Sequence, residues 1–147
     1  MSIKKVLFTT IHFTNYYSVE NVKYNKQDGH KLIYAFGLLS RKFNFINGIK
    51  NGLYMYYYDN GNINEKMHFI NGKINGCSEY YYNDGELKMI QYLINSLKND
   101  NAIVYHNDGR ILLKSYYIDY KQQGLCIEFD GSVYKKYYYI DKIRIEI

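Results

Sequence analysis

The sequence predicts an all-β protein: an elongated, single-layer antiparallel meander of about five two-stranded hairpin repeats, with a period of about 24 residues and capping strands at both ends. The turn signatures Asp59-Asn60-Gly61, Asn83-Asp84-Gly85 and Asn107-Asp108-Gly109 place their glycines at equal intervals. The chain also contains 20 Tyr and no Pro. Tyr favours pleated, half-buried surfaces, and without Pro every backbone N–H remains available to a strand ladder.

Each predicted repeat contains two turn sites separated by runs of aromatic and β-branched residues, the pattern of a hairpin plus a link to the next hairpin. The second series of turn signals lies at residues 47–52 and 71–76, between members of the first series. Glycine suits such turns because it adopts positive φ without steric cost. The predicted turn glycines are Gly37, Gly48, Gly52, Gly61, Gly72, Gly76, Gly85, Gly109, Gly124 and Gly131.

The chain is predicted to be a single repeat domain over residues 1–147. Residues 1–13 are predicted to form an N-terminal cap strand and residues 14–36 a degenerate first unit, since terminal units of repeat arrays are usually atypical. The clear repeats occupy residues 37–131. Residues 132–147 form the predicted C-terminal cap, in which Ile143, Ile145 and Ile147 alternate with Arg144 and Glu146. Charges on such a final strand discourage pairing with another chain.

Apolar side chains recur in fixed columns, which predict the buried stripe of the array. Two residues after the first turn glycine of each unit come Leu39, Ile63, Leu87, Ile111 and Val133. Eight residues after it come Phe45, Phe69, Leu93, Tyr117 and Tyr139. Nine residues after it come Ile46, Ile70, Ile94, Ile118 and Ile140. A position that is aliphatic in every unit is interpreted as core.

The other strand of each unit carries the tyrosines, and these supply the candidate binding residues. Successive side chains of a strand point to opposite faces, so Tyr57, Tyr81 and Tyr105 are predicted to share one face, with Tyr34 as an earlier member. Aromatic residues are enriched at interface hot spots. The opposite set is a nearly equal alternative and comprises Tyr56, Tyr58, Tyr80 and Tyr82.

No catalytic, metal or cofactor site is predicted. The four histidines, His12, His30, His68 and His106, have no partner at metal-ligand spacing. The acidic residues, such as Glu65, Glu79, Glu86 and Glu128, fall at different places in their units, so no pair of carboxylates recurs. Every Gly-containing motif is accounted for by a hairpin turn. The prediction is a non-enzymatic protein.

Composition leaves the partner open. A net charge of +5 permits an anionic partner, but the basic residues are scattered. A protein partner or self-association is favoured, and a single-stranded nucleic acid is the alternative, because aromatic platforms and lysines occur together. No stretch is long enough to span a bilayer, and contact with a membrane surface is not expected. Cys77 and Cys126 are predicted to be free thiols, which favours a cytoplasmic location.

The motif Tyr58-Asp59-Asn60-Gly61, followed by residues 69–76 with the sequence Phe-Ile-Asn-Gly-Lys-Ile-Asn-Gly, resembles the MORN repeat family, and in particular the variant repeats of bacterial antitoxin-like proteins. The resemblance covers most of residues 29–141 and is strongest over residues 43–85. It implies a chain of short antiparallel hairpins. It also implies a scaffold, a partner-binding module or an immunity protein that neutralises a toxin.

Overall fold

The computed structural model describes residues 28–147 in full and, before them, the backbone of two strands, residues 3–7 and 16–22. These residues form one antiparallel sheet of 14 strands, and no helix occurs among them. The all-β prediction is confirmed. The strands are β1 (Ile3–Leu7), β2 (Tyr16–Val22), β3 (Gly29–Ala35), β4 (Leu38–Ile46), β5 (Ile49–Tyr57), β6 (Ile63–Ile70), β7 (Lys73–Ile74), β8 (Gly76–Tyr81), β9 (Leu87–Ile94), β10 (Leu97–Tyr105), β11 (Ile111–Ile118), β12 (Lys121–Phe129), β13 (Tyr134–Ile140) and β14 (Ile143–Glu146).

The order of strands in the sheet follows the order in the chain, which is the predicted hairpin meander. Only β7 lies off this path: it pairs with β6, and after Asn75 the chain continues as β8 on the same neighbour. Strands β5, β7, β10 and β12 begin at positions 49, 73, 97 and 121, so the strands repeat at the interval of the turn glycines. Of the predicted N-terminal cap, only β1 falls within the described residues. Residues 14–15 and 23–27 of the predicted degenerate unit also lie outside them.

One edge of the sheet, here called the turn edge, is formed by two-residue hairpin turns. Their residues are Asn47-Gly48, Asn71-Gly72, Asn95-Ser96, Asp119-Tyr120 and Asp141-Lys142, all at positive φ. Positive φ at both positions is the pattern of a type I′ turn, whose twist matches that of the flanking strands. Ser96 and Tyr120 take this conformation without glycine, and each is held by a backbone hydrogen bond to the preceding unit, to the carbonyls of Ile74 and Lys98.

The opposite edge, here called the loop edge, includes five-residue loops at residues 58–62, 82–86 and 106–110. In each loop an Asx side chain accepts a hydrogen bond of 3.0 Å from the N–H two residues later. The accepting residues are Asn60, Asp84 and Asp108, which is why these positions are Asn or Asp. Successive loops are also joined, because Asn60 Nδ2 donates to the carbonyl of Asn83 at 2.7 Å.

Three glycines that the sequence analysis placed in turns lie instead in strands. Gly52 falls within β5, Gly124 within β12, and Gly76 begins β8. The two-residue turn is complete before them, so these glycines are already in the ladder, where they mark β-bulges and register shifts. Gly52 has φ +92°, and an added Cβ would lie 3.2 Å from Nδ2 of Asn44. Glycine is favoured there because the strand takes a positive φ at a register shift.

The core lies on one face of this single layer, here called the core face. Residues directly opposite one another across the strands share a face, and one row of such pairs runs from β5 to β13. The row includes Tyr54–Met67, Ser78–Gln91, Gln91–Ala102, Ala102–Ser115 and Cys126–Tyr137. One cation covers the aromatic end of this row: Nζ of Lys50 lies 4.9 to 5.4 Å from the ring centroids of Phe43, Tyr54 and Phe69.

The predicted isoleucine core is wrong. Ile46, Ile70, Ile94, Ile118 and Ile140 are 44% to 52% exposed, and they lie on the other face, here called the open face. Phe45 and Leu93, one residue earlier, are only 8% and 6% exposed. Adjacent residues of a strand point to opposite faces, so only one of two neighbouring columns can be buried. Val133 of the other aliphatic column is 55% exposed.

Small polar side chains interrupt the buried row. Ser78 is fully buried and Ser115 is 1% exposed, and neither Oγ has a hydrogen-bond partner. Gln91 donates from Nε2 to the Tyr80 hydroxyl at 2.8 Å, while its Oε1 is unpaired. Ala102 occupies the position equivalent to Ser78 in the next repeat. An apolar methyl group therefore fits the same place in the repeat.

Candidate functional site

The four predicted tyrosines lie on the open face at the loop-edge ends of their strands, but they are half-buried. Tyr34, Tyr57, Tyr81 and Tyr105 pair across the sheet with Leu39, Ile63, Leu87 and Ile111. The hydroxyl groups of Tyr57 and Tyr81 contact side chains of their own strands. Tyr57 Oη contacts Met55 Sδ at 3.0 Å, and Tyr81 Oη donates to Oε2 of Glu79 at 2.7 Å. These rings belong partly to the packing of the sheet.

A charged network surrounds Tyr81. Nζ of Lys66 lies 2.8 Å from Oε2 of Glu79, the oxygen that also accepts from Tyr81. The hydrogen bond from Lys66 is the main cause that lowers the pKa of Glu79, and the bond from Tyr81 adds to it. Burial, followed by the interaction with Glu79, raises the pKa of Tyr81 to about 12. The carboxylate is therefore held in its charged form by one cation and one phenol.

The alternative set of tyrosines has structural roles. Tyr56 and Tyr80 lie on the core face, opposite Glu65 and Met89. The hydroxyls of Tyr58 and Tyr82 donate to the main-chain oxygens of the next repeat, at Tyr81 and Tyr105, both at 2.8 Å. These bonds join successive repeats. Like the first set, these four tyrosines are half-buried.

Sequence reasoning missed a column of exposed tyrosines in the middle and C-terminal units. Tyr92, Tyr116 and Tyr138 lie on the open face and are 44%, 37% and 44% exposed. They come seven residues after the turn glycine, a column that holds His68 in the preceding unit. The signal was available, because this column lies two residues before the isoleucine column and must share its face.

These three tyrosines join the exposed aliphatic residues into one surface, here called the apolar stripe. It runs along the turn edge of the open face from β9 to β14. Tyr138 lies opposite both Leu125 of β12 and Ile145 of β14, each 45% exposed. The stripe comprises Tyr92, Ile94, Tyr116, Ile118, Leu125, Tyr138, Ile140, Ile143 and Ile145. Exposed apolar side chains grouped on one face make the apolar stripe the candidate interaction surface of the sheet.

A row of lysines flanks the apolar stripe. Lys114 of β11 and Lys136 of β13 both lie opposite Ile127 of β12, so one lysine lies on each side of this isoleucine. Both lysines are exposed, and neither forms an ion pair within residues 28–147. Lys114, Tyr116, Leu125 and Ile127 also line a shallow hollow of about 320 Å³.

The remaining reactive side chains do not assemble into a site. Over residues 28–147 no three His, Cys, Asp or Glu side chains lie close enough to hold a metal ion. Cys77 is exposed and Cys126 is 2% exposed, and both are free thiols. Burial is the first cause that raises the pKa of each. In the part of the chain that is described, no helix has the length and apolar character to cross a membrane.

Comparison with known proteins does not assign the chain to a family. No protein-family model matches the chain, and no curated protein is similar enough in sequence to count as a match. The resemblance to MORN repeats therefore stays a prediction, and the candidate site rests on the geometry of the sheet.

Proposed function

We propose that this protein is a non-enzymatic interaction module that binds a protein partner through the open face of its sheet. The observation that carries the proposal is the apolar stripe, whose large side chains are 37% to 64% exposed. Removing such side chains from water in an interface is energetically favourable. The binding residues are Tyr92, Tyr116 and Tyr138, and the half-buried Tyr34, Tyr57, Tyr81 and Tyr105 form the loop-edge side of the same face.

The difference in aromatic exposure between the two faces of the sheet supports this choice. On the core face the aromatic rings are buried or covered by cations: Arg144 lies over the ring of Tyr137 at 3.4 Å, and Lys98 over that of Tyr117 at 5.0 Å. On the open face the exposed tyrosines alternate with aliphatic side chains. Aliphatic groups pack against protein side chains but offer no stacking surface to bases, which favours a protein over a single-stranded nucleic acid.

Site-specific photocrosslinking tests the proposal. A benzophenone side chain replaces Tyr116 or Tyr138, and the matched control carries it at Lys135, which is exposed on the core face of the same strand as Tyr138. In extracts of cells that make the protein, we expect a discrete protein adduct from the two tyrosine positions and none from the control. Unlabelled protein in excess should suppress the adduct.

Two results would contradict the proposal. Equal labelling from both faces would show that the adducts are non-specific, and adducts with nucleic acid alone would favour the stacking alternative. Once the partner is identified, Tyr116→Asp and Tyr138→Asp should each weaken its binding. A partner that proved to be a single toxic enzyme, inhibited at a one-to-one ratio, would assign the immunity role that the MORN resemblance implies.

A further inference from the structure

We propose that the C-terminal part of the open face selects an acidic partner segment, whose carboxylates bind Lys114 and Lys136 while apolar side chains cover Ile127 and the apolar stripe. This inference rests on the proposed function and names the chemistry of its partner. It follows from a difference between two repeats that are otherwise equivalent in position.

The repeat containing Lys66 supplies its own carboxylate. Lys66 lies opposite Glu79 in the ladder, and the two side chains form an ion pair at 2.8 Å. The same oxygen of Glu79 accepts the hydrogen bond from Tyr81. The open face at this point therefore binds a carboxylate on top of the sheet, in contact with a lysine and beside an aromatic ring.

Two repeats later the cation is kept and the carboxylate is replaced. Lys114 occupies the position of Lys66 two periods further along the chain, and Ile127 occupies that of Glu79. Ile127 pairs with Lys114 on one side and with Lys136 on the other. The two lysines thus meet an isoleucine where the equivalent lysine meets a glutamate, and the position above Ile127 is apolar and bounded by positive charge.

The strands that form this surface provide no carboxylate of their own on the open face. The only acidic residue of β11, β12 and β13 is Glu128, which faces the core side and pairs with Arg144 at 3.3 Å. Because the lysines lie on alternate strands, they are separated by about 10 Å. A matching partner carries two carboxylates at about this separation, with apolar side chains between them that fill the hollow beside Tyr116 and Leu125.

Charge complementarity decides between an acidic protein segment and a nucleic acid. Two lysines can neutralise two phosphates, but the surface around them consists of isoleucine and leucine as much as of tyrosine. A single strand needs stacking platforms for successive bases. An acidic peptide with apolar side chains uses both the cations and the aliphatic groups, so we take it as the occupant.

Fluorescence anisotropy with defined probes tests the inference. The first probe is a fluorescein-labelled peptide in which Asp recurs every third residue with Leu and Tyr between, a spacing of about 9.3 Å in an extended left-handed conformation. The second has Asn in place of each Asp. The third is a ten-nucleotide single strand of thymidines. We expect the Asp peptide to bind at least tenfold more tightly than the Asn peptide at low salt, and the difference to shrink as added salt screens the charges.

Three variants locate the effect. Ile127→Glu restores the internal carboxylate of the Lys66 repeat, and it should reduce affinity for the Asp peptide at least tenfold. The double variant Lys114→Glu/Lys136→Glu should do the same, and because both side chains are exposed, it keeps the test decisive if Ile127→Glu does not fold. The control Lys135→Gln also removes a positive charge, but from the core face, where Lys135 pairs with Asp130 at 3.0 Å. Its affinity should stay within twofold of wild type.

Equal affinity for the Asp and Asn peptides would overturn the inference, as would wild-type binding by folded Ile127→Glu. Tighter binding of the thymidine strand than of the Asp peptide would overturn it in favour of nucleic acid. If the peptides fail to discriminate while crosslinking at Tyr116 still captures a protein, the acidic specificity is wrong and the proposed function stands. If crosslinking also fails, both are wrong.

Discussion

Exchanging two adjacent aliphatic residues, Leu93 and Ile94, for threonine tests which face of the sheet holds the core. Leu93 is 6% exposed and Ile94 is 44% exposed, although both are large and aliphatic. Threonine is β-branched, so it preserves the preference for a strand at either position. The two substitutions therefore differ mainly in the apolar area that they remove from the interior and in the place where they put a hydroxyl group.

The expected losses of stability are unequal. Full burial of a leucine or isoleucine side chain stabilises a protein by about 1.5–3 kcal/mol, and nearly all of this applies at Leu93. The hydroxyl of Leu93→Thr costs about 1–3 kcal/mol more, since it is placed where the side chain is only 6% exposed. We therefore expect Leu93→Thr to lower the free energy of unfolding by about 3 kcal/mol or more. At Ile94 little more than half of the side chain is covered and the hydroxyl reaches water, so the loss is about 1 kcal/mol.

Urea unfolding measures the difference. The chain has no Trp, so far-UV circular dichroism and tyrosine fluorescence report the transition. With a slope of about 1–3 kcal/mol per molar urea, the two variants should differ in midpoint by about 1 M or more. Ile118→Thr, in the same column as Ile94, serves as a control and should match Ile94→Thr. Losses that are equal for Leu93→Thr and Ile94→Thr, or larger for Ile94→Thr, would refute the assignment of the two faces.

Three further predictions concern single side chains. Ser78→Ala should raise the free energy of unfolding by about 1 kcal/mol, because it removes a buried hydroxyl that has no hydrogen-bond partner, and a destabilised variant in urea unfolding would contradict this. Burial and the bond to Glu79 raise the pKa of Tyr81 to about 12, so its stabilising contribution is complete below the unfolded pKa of about 10 and is lost as the pH rises through about 12. Ultraviolet absorbance of the phenolate should show this late titration in wild type, and Glu79→Gln should move it to lower pH. Iodoacetamide at pH 8 should modify Cys77 in the folded protein and Cys126 only after unfolding, as mass spectrometry would show; equal rates for the two thiols would contradict their assigned burial.

Turn chemistry was the most predictable part of the structure. Asn-Gly and Asx-containing signals at a fixed period indicated hairpins, and the hairpins occur in a meander at that period. The sites at Asn95-Ser96 and Asp119-Tyr120 lack glycine, yet they form the same two-residue turns, since the strands on either side and hydrogen bonds to the preceding repeat hold the backbone at positive φ. Local preference and neighbouring strands act together at these positions.

The position of the second glycine of each unit, in a turn or in a β-bulge, could not be predicted from local sequence. Positive φ at Gly52 and Gly124 was foreseeable from residue type, but the same φ serves a turn or a bulge. The choice depends on which residues of the neighbouring strand they oppose, and that register is a property of the assembled sheet. The exposure of the tyrosines also depends on the assembled sheet. The predicted tyrosines share the open face with Tyr116 and Tyr138 but are less exposed than these two.

On its own, the sequence determined the class of fold, the repeat length and the alternation of faces, because turns and period-two patterns depend on residues that are close together in the chain. Only the tertiary structure decided which face is covered. Leu93 and Ile94 are both large and aliphatic, and they differ in burial because the assembled sheet covers the side chains of one face and leaves those of the other exposed. The exposed face carries the isoleucines, Tyr116, Tyr138, Lys114 and Lys136.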